Sequence, residues 1–340
     1  FQLAEKNLGQ TGLNPSVGSI VVKKKTVIST GTTSPGGRPH AEFNALNNTK
    51  DVEGGTLYTS LEPCTHKGKS PPCTNIKKKI KNVFYAFNDP DIRTYKKAKT
   101  LLYKKGIKAR LIKSKRFDKF YKSYFINKKL HIPFISAKIA ISKDKFTIDK
   151  KNKWITNRSS RKVAHLIRSK HDGIISTSKT INCDNALLNC RIEGLDHYKP
   201  DLFIIDLDLK LKRKLFLNKF LKKRKTFLIT YKKNLKKTYF FKKKGYKIIL
   251  IRSLSSKNDF HSLFKKLYKM GYARILIETG LTFLNSLIKK KLINDLFIFK
   301  SNKRLKKKGK NNATLKQLKN ISSRQISINL NNDKLYKKEF

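Results

Sequence analysis

Carboxylates are scarce in this chain. Asp and Glu total 22 against 80 Lys and Arg, a formal net charge of +58 over 340 residues. A field of that sign would attract phosphates, so nucleic acid is one reading of it. Arginine is scarce as well, at 14 of the 80, while Lys, Asn, Ile, Phe and Tyr are plentiful, a set drawn from A/T-rich codons. The lysines are scattered through every predicted element, as in Lys77-Lys78-Lys79 and Lys289-Lys290-Lys291, instead of forming one arm. Compositional drift with solvated lysine faces is the favoured reading, and no specific nucleic-acid partner is expected. Long apolar runs are missing: nothing approaches the length of a membrane-spanning helix, so no membrane partner is expected. Four cysteines are too few for a disulfide framework and suit the reducing cytosol, hence an expected cytoplasmic location. There is no initiator Met, so residues are expected to precede Phe1, and Phe1 to Leu8 reads as the body of an amphipathic helix rather than a signal peptide. No G-x-G-x-x-G occurs, which removes the ordinary dinucleotide fingerprint. With 38% hydrophobic residues, 340 residues have room for two domains with sizeable cores.

What is present is concentrated between His40 and Cys73. His40-Ala41-Glu42 is followed by Pro63-Cys64 and by Pro71-Pro72-Cys73. Zinc binds imidazole nitrogen and thiolate sulfur, and three protein ligands leave a fourth tetrahedral position for water. The ion lowers the pKa of that water towards neutrality. His40, Cys64 and Cys73 are the candidate ligands. Glu42, on the helix that His40 opens, is the candidate proton carrier and not a ligand. H-x-E with P-C-x-x-C marks the zinc nucleobase deaminases, but here eight residues rather than two separate the cysteines. The alternative is a closed structural zinc knot with His66 as fourth ligand, which would not require Glu42 beside the metal. Cys183 and Cys190 fit no metal or nucleophile spacing and read as ordinary thiols.

The loop from Pro63 to Cys73 and the turn Asn14-Pro15-Ser16-Val17-Gly18 resemble the deaminase half of the bifunctional riboflavin-biosynthesis deaminase/reductase family. That family implies a cytidine-deaminase-like α/β/α sandwich, and the predicted order α-β-β-α-β-α-β-α-β agrees. Strands are expected at Gly18–Val22, Val27–Thr30, Leu57–Leu61, Val83–Phe87 and Ile107–Ile112. Helices are expected from His40, from Pro72-Cys73 and over Thr94–Lys105, so that two helix N-termini face the metal. Asn88-Asp89-Pro90 reads as a turn with no assigned chemistry. A lysine-rich connecting helix is expected near Arg116–Lys129, dividing the chain into 1–112, a connector over 113–131, and 132–340.

From Ile132 onward strands and helices alternate, which implies a largely parallel sheet with ligands at its carboxyl ends. Here the resemblance implies a dihydrofolate-reductase-like α/β domain that binds NADPH without the usual fingerprint. Lys138, Ala140, Ser142, Asp144, Trp154-Ile155-Thr156, Arg168, Thr180, Asp184, Leu188, Arg191, Glu278 and Gly280 follow the family's spacing. By this correspondence Ala140, Trp154, Thr180, Asp184 and Gly280 would contact NADPH. Asn152, Arg168, Leu188, Arg191 and Glu278 would contact the substrate, and Asn14 would hydrogen-bond its pyrimidine. Departures stand at Lys145 (Gly in the family), Leu202 (Arg), Thr279 and Leu281 (Gly and Pro), and Ser301-Asn302 (Ala-Pro). The implied substrate is a 2,5-diamino-6-ribosylamino-4(3H)-pyrimidinone 5′-phosphate, first deaminated by zinc-bound hydroxide and then reduced to a ribityl side chain with NADPH. A deaminase with a silent reductase domain, and a nucleic-acid deaminase, are the alternatives. A homo-oligomer through the reductase domain is compatible with the family.

Overall fold

A computed structural model describes residues 1–49, 51–76, 80–195, 199–313 and 324–340. The run Lys77-Lys78-Lys79 therefore lies outside the described residues. The chain divides into two units, 1–133 with 268–273, and 134–267 with 274–340.

In the first unit α1 (Gln2–Lys6) precedes a hairpin of β1 (Gly18–Lys23) and β2 (Thr26–Thr32). Lys24 and Lys25 form its two-residue turn with φ of 48° and 66°, the positive pair that matches strand twist. α2 (Ala41–Asn47), β3 (Thr56–Thr59), β4 (Asn82–Tyr85), α3 (Ala98–Tyr103), β5 (Lys108–Leu111) and α4 (Lys115–Leu130) follow. The sheet order is β2-β1-β3-β4-β5. β1 is antiparallel to β2 and β3, while β3, β4 and β5 run parallel. Alternating strand residues Val21, Leu57 and Val83 bury completely with Ala45 and Leu102. A second cluster joins Val17, Ala41 and Leu61 to Tyr121 and Tyr124 of α4, so the helix read as a connector contributes core to this unit.

Gly31 on β2 is where α2 lies closest. A Cβ there would collide with the backbone of Ala41 and Ala45, and Ser29 Oγ donates to Ala45 O at 2.6 Å. The helix expected from Pro72-Cys73 does not form over the described 71–76, which carry a turn. The physical reason is that this backbone is engaged with Cys64: Thr74 N donates to Cys64 O at 3.1 Å and Cys73 N to Cys64 Sγ at 3.1 Å. Of the two helix N-termini expected at the metal, that of α2, which follows His40, forms, and the one at Cys73 does not form over the described residues.

The second unit contains β6 (Phe134–Ile141), β7 (Phe146–Asp149), α5 (Arg158–Ser169), β8 (Gly173–Thr177), α6 (Ser178–Asp184), β9 (Asp201–Ile205), β10 (Thr226–Tyr231), α7 (Tyr239–Lys243), β11 (Lys247–Ile251), α8 (Lys257–Lys269), β12 (Arg274–Ile277), α9 (Leu281–Lys289), β13 (Asp295–Lys300), β14 (Gly309–Asn312), β15 (Arg324–Leu330) and β16 (Asp333–Glu339). The main sheet has the order β11-β10-β9-β8-β12-β6-β13-β16-β15, parallel from β11 to β13, with β16 antiparallel. β7 and β14 form a separate antiparallel ribbon. Ile174, Leu202, Ile204, Leu228 and Leu276, all fully buried, fill the core, as the continuous apolar runs of a parallel sheet covered on both faces require. Asn157 caps α5, its side chain accepting from Ser160 N. No helix among the described residues is long and apolar enough to cross a membrane.

Candidate active sites

In sheets with parallel strands, ligands bind at the loops beyond the carboxyl ends. In the first unit the loop after β3 supplies Glu62 and Cys64, and the loop after β4 supplies Asp89, Asp91 and Arg93. His40 occupies the extended residue just before α2 (φ −73°, ψ 159°). His40 Nδ1 lies 3.2 Å from Cys73 Sγ and 3.6 Å from Cys64 Sγ, and all three donors fall within 4.8 Å of one another. Among the described residues this is the one cluster of its kind. One imidazole nitrogen and two sulfurs at that separation fit zinc. Two adjacent thiols cannot ionise independently. Cys64 is held well below the usual thiol value by the hydrogen bond from Cys73 and by His40, while its neighbour and burial push Cys73 up. His66 stands apart, its Nδ1 3.2 Å from Thr94 Oγ1, so the closed four-ligand knot finds no support.

Glu42 is 4% exposed in the first turn of α2. Burial pushes its carboxyl up to about 7, with the Cys73 thiol in hydrogen-bond reach. A carboxyl near neutrality can both accept and return a proton. A pocket opens over this group, and Asn14, Arg38, Glu62, His66, Asp89 and Lys128 are among its walls. Asn14 Nδ2 donates to Gly37 O at 3.3 Å. Gly37 has φ +85°, and a Cβ there would strike Asn14.

Sequence reasoning missed part of this wall. Asp89 lies in the cavity rather than in an idle turn. It is buried, pushed up to about 6 by that burial, and takes hydrogen bonds from Asp91 N at 2.9 Å and Tyr124 Oη at 3.2 Å. Asp91 binds Arg93 through two bonds of 2.9 and 2.6 Å and Lys128 at 2.9 Å. The one available signal was the position of Asn88-Asp89-Pro90 just past a parallel strand. Lys128, 37 residues from Asp91, offered none.

In the second unit three neighbouring strands, β8, β12 and β6, present their carboxyl ends side by side. Ala140 lies near the end of β6, Thr180 just beyond β8 and Gly280 just beyond β12. An open parallel sheet takes its ligands beyond the carboxyl ends of its strands, and these three residues stand there on adjacent strands. Trp154 is 49% exposed, its ring covered by Lys153 and Arg161. Asp184 ends α6, with Lys153 and Lys138 in electrostatic range. Asn152 is exposed and donates to Asp149 at 2.9 Å.

Arg168 and Glu278 come together as a buried bidentate pair at 2.5 and 2.9 Å, and Lys138 Nζ lies 3.3 Å from Glu278. Burial alone would raise the Glu278 carboxyl, but Arg168 and Lys138 hold it far below the usual range. Leu188 is buried at φ +49°. Arg191 is exposed, donating to Asn189 Oδ1 at 3.0 Å beside His165. Burial, then Arg168 and Arg191, take that imidazole down to about 4. Lys145, at the family's Gly position, adopts φ +69°, so the turn survives with a lysine in the conformation glycine favours.

A zinc deaminase unit followed by a pyrimidine-type reductase unit is the class that this fold and these sites define. Residues 2–87 match the cytidine and deoxycytidylate deaminase zinc-binding region, and residues 133–321 match the RibD C-terminal domain. The chain belongs to the RibD family of riboflavin-biosynthesis enzymes, which carry deaminase and reductase activities. It is 31% identical over 307 residues to the riboflavin biosynthesis protein RibD of Aquifex aeolicus, covering 88% of this chain and 84% of that one. It is 33% identical over 321 residues to the RibD of Buchnera aphidicola, with the same coverage. The solved structure of Acinetobacter baumannii RibD superposes with a TM-score of 0.83 over 99% of this chain and 96% of that one, at 23% identity, and shows the fold.

Proposed function

We propose that this enzyme deaminates 2,5-diamino-6-ribosylamino-4(3H)-pyrimidinone 5′-phosphate in its first half and reduces the product in its second. The observation that carries the reading is the convergence of His40, Cys64 and Cys73 with the buried Glu42 beside them. Zinc, when bound there, supplies the Lewis acidity that brings a water towards ionisation at neutral pH. Glu42 takes the proton of the attacking water and returns it to the departing ammonia, a transfer worth typically ~10²–10⁴-fold. Asn14, held by Gly37, orients the pyrimidine. In the second half NADPH, when bound, supplies hydride for C1′ of the ribosyl group. Ala140, Trp154, Thr180, Asp184 and Gly280 would hold it. Asn152, Leu188, Arg191 and Glu278 would receive the substrate, with Arg168 both a contact and the partner of Glu278.

The working division is a deaminase over 1–112, a connector over 113–131 and a reductase over 132–340. The enzyme acts in the cytoplasm on a small molecule, without a specific nucleic-acid partner, and any self-association runs through the reductase half. The scattered lysines and the low Arg share support the absence of a nucleic-acid role. Incubation with the diaminopyrimidine phosphate, with and without NADPH, and identification of products by mass test the reading. Glu42→Gln should retain zinc and lose deamination by ~10²-fold or more. Zinc-free wild-type protein, or a fully active variant, would sink it. Deamination without NADPH oxidation would leave the reductase half silent.

A further inference from the structure

Segment 186–192 of the second unit belongs to no strand or helix, yet three consecutive carbonyls in it are held by side chains from elsewhere. Arg224 donates to Leu187 O at 2.5 Å through Nη1 and to Leu188 O at 2.9 Å through Nη2, while its Nε reaches Pro200 O at 2.5 Å. Arg168 Nη1 donates to Asn189 O at 3.1 Å, and His165 Nδ1 lies 2.9 Å from the same oxygen. Between these anchors Leu188 is held at φ +49°, a conformation that L side chains rarely adopt.

A cation is a costly choice for this place. Arg224 is 6% exposed, and its donors go to carbonyl oxygens rather than to a carboxylate. Burial lowers its pKa only to about 9, so it stays charged at neutral pH. An apolar side chain would fill the same volume without desolvating a charge. What the guanidinium adds is direction: a rigid planar fork whose N–H groups meet several acceptors in fixed geometry, with the strength of charged donors. Two of those acceptors, Leu187 O and Leu188 O, belong to the backbone that presents Leu188 and Arg191, and the third, Pro200 O, ties that backbone to the residue before β9.

We infer that Arg224 is a positioning residue for the reductase half, fixing the 187–191 backbone so that Leu188 and Arg191 meet the phosphoribosyl substrate. The inference rests on the reductase reading above. It assigns Arg224 no contact with substrate or NADPH.

The test uses the full chain with Arg224→Met and Arg224→Lys, the latter keeping the charge but not the fork. Hydrogen–deuterium exchange should show amides within 186–192 of Arg224→Met exchanging about tenfold faster or more, with β8, β9 and the first unit unchanged. In kinetics the KM for the deaminated ribosylamino substrate should rise about tenfold, while the KM for NADPH, kcat and the deamination rate hold. Arg224→Lys, which keeps the charge without the fork, should fall short of wild type in both exchange and KM. Unchanged exchange in 186–192 overturns the inference. So does loosening spread over β8 to β10 with both KM values moving together, since that is a folding role alone. Wild-type protein that oxidises no NADPH would fail the reductase reading, and the exchange arm would then decide the backbone clamp by itself.

Discussion

Arg168→Met should cost the second unit about 3 kcal/mol of stability. Both members of the pair are buried, Arg168 at 9% and Glu278 at 5% exposure, and they meet through two hydrogen bonds of 2.5 and 2.9 Å. Removing one partner of such a pair costs about 3–5 kcal/mol, because the remaining charge is stranded away from water. Lys138, 3.3 Å from Glu278, keeps one cation in place and puts the loss at the lower end. Glu278→Gln added to Arg168→Met removes the stranded charge and should recover about 1–2 kcal/mol. Urea unfolding followed by Trp154 fluorescence reads this unit, since the chain has a single tryptophan. The pH dependence has a defined sign. The Glu278 carboxyl is depressed in the folded state, so its stabilisation is present above the unfolded pKa of about 4.3 and is lost as pH falls towards the folded value. The gap between wild type and Arg168→Met should therefore narrow below about pH 4. A loss under about 1 kcal/mol together with a raised substrate KM would refute the argument and make Arg168 a substrate ligand first.

Three further outcomes are expected. Gly31→Ala should lift α2 off β2, cost about 1–3 kcal/mol and lower both zinc content and deamination while NADPH oxidation persists; full zinc occupancy in the variant would contradict it. His171 is 3% exposed and burial takes its imidazole down to about 3, so the unfolded chain binds more protons between pH 6.5 and that value. Stability should rise with pH across this window, by up to about 3 kcal/mol from pH 4 to 6.5, and urea midpoints of His171→Gln should show a flatter profile. Lys145→Gly should relieve about 1 kcal/mol of left-handed strain and return part of it as chain entropy, for a small rise in thermal midpoint. A fall there would mean that the lysine side chain stabilises the turn.

Much of the first site was legible because its information is local. His40 and Glu42 lie within one helical turn, and the loop between Cys64 and Cys73 is short, so residue type and spacing nearly specify the cluster. The alternation of apolar strands and amphipathic helices over 158–299 was legible for a similar reason: strand and helix periods are properties of a few consecutive residues. Elements whose stability comes from pairing were not legible. β7, β14, β15 and β16 are short or polar, and only their partners make them strands, although Asn331-Asn332 between Leu330 and Asp333 was a hairpin signal. The turn at Cys73 that replaces an expected helix depends on bonds back to Cys64.

The sequence by itself brought out the His40–Cys64–Cys73 cluster that could hold a metal, the carboxylate of Glu42 beside it and the succession of two α/β domains, because each follows from contacts within one or two elements. Only the tertiary structure decided which charges would meet. Arg168 with Glu278 lies across 110 residues, Lys128 with Asp91 across 37, and Arg224 reaches carbonyls 36 and 37 residues away. Among 80 cations nothing in composition or period distinguishes these from their solvated neighbours. Burial selects them: a few arginines and lysines are enclosed by the packing of strands and helices, and each must then find an acceptor there.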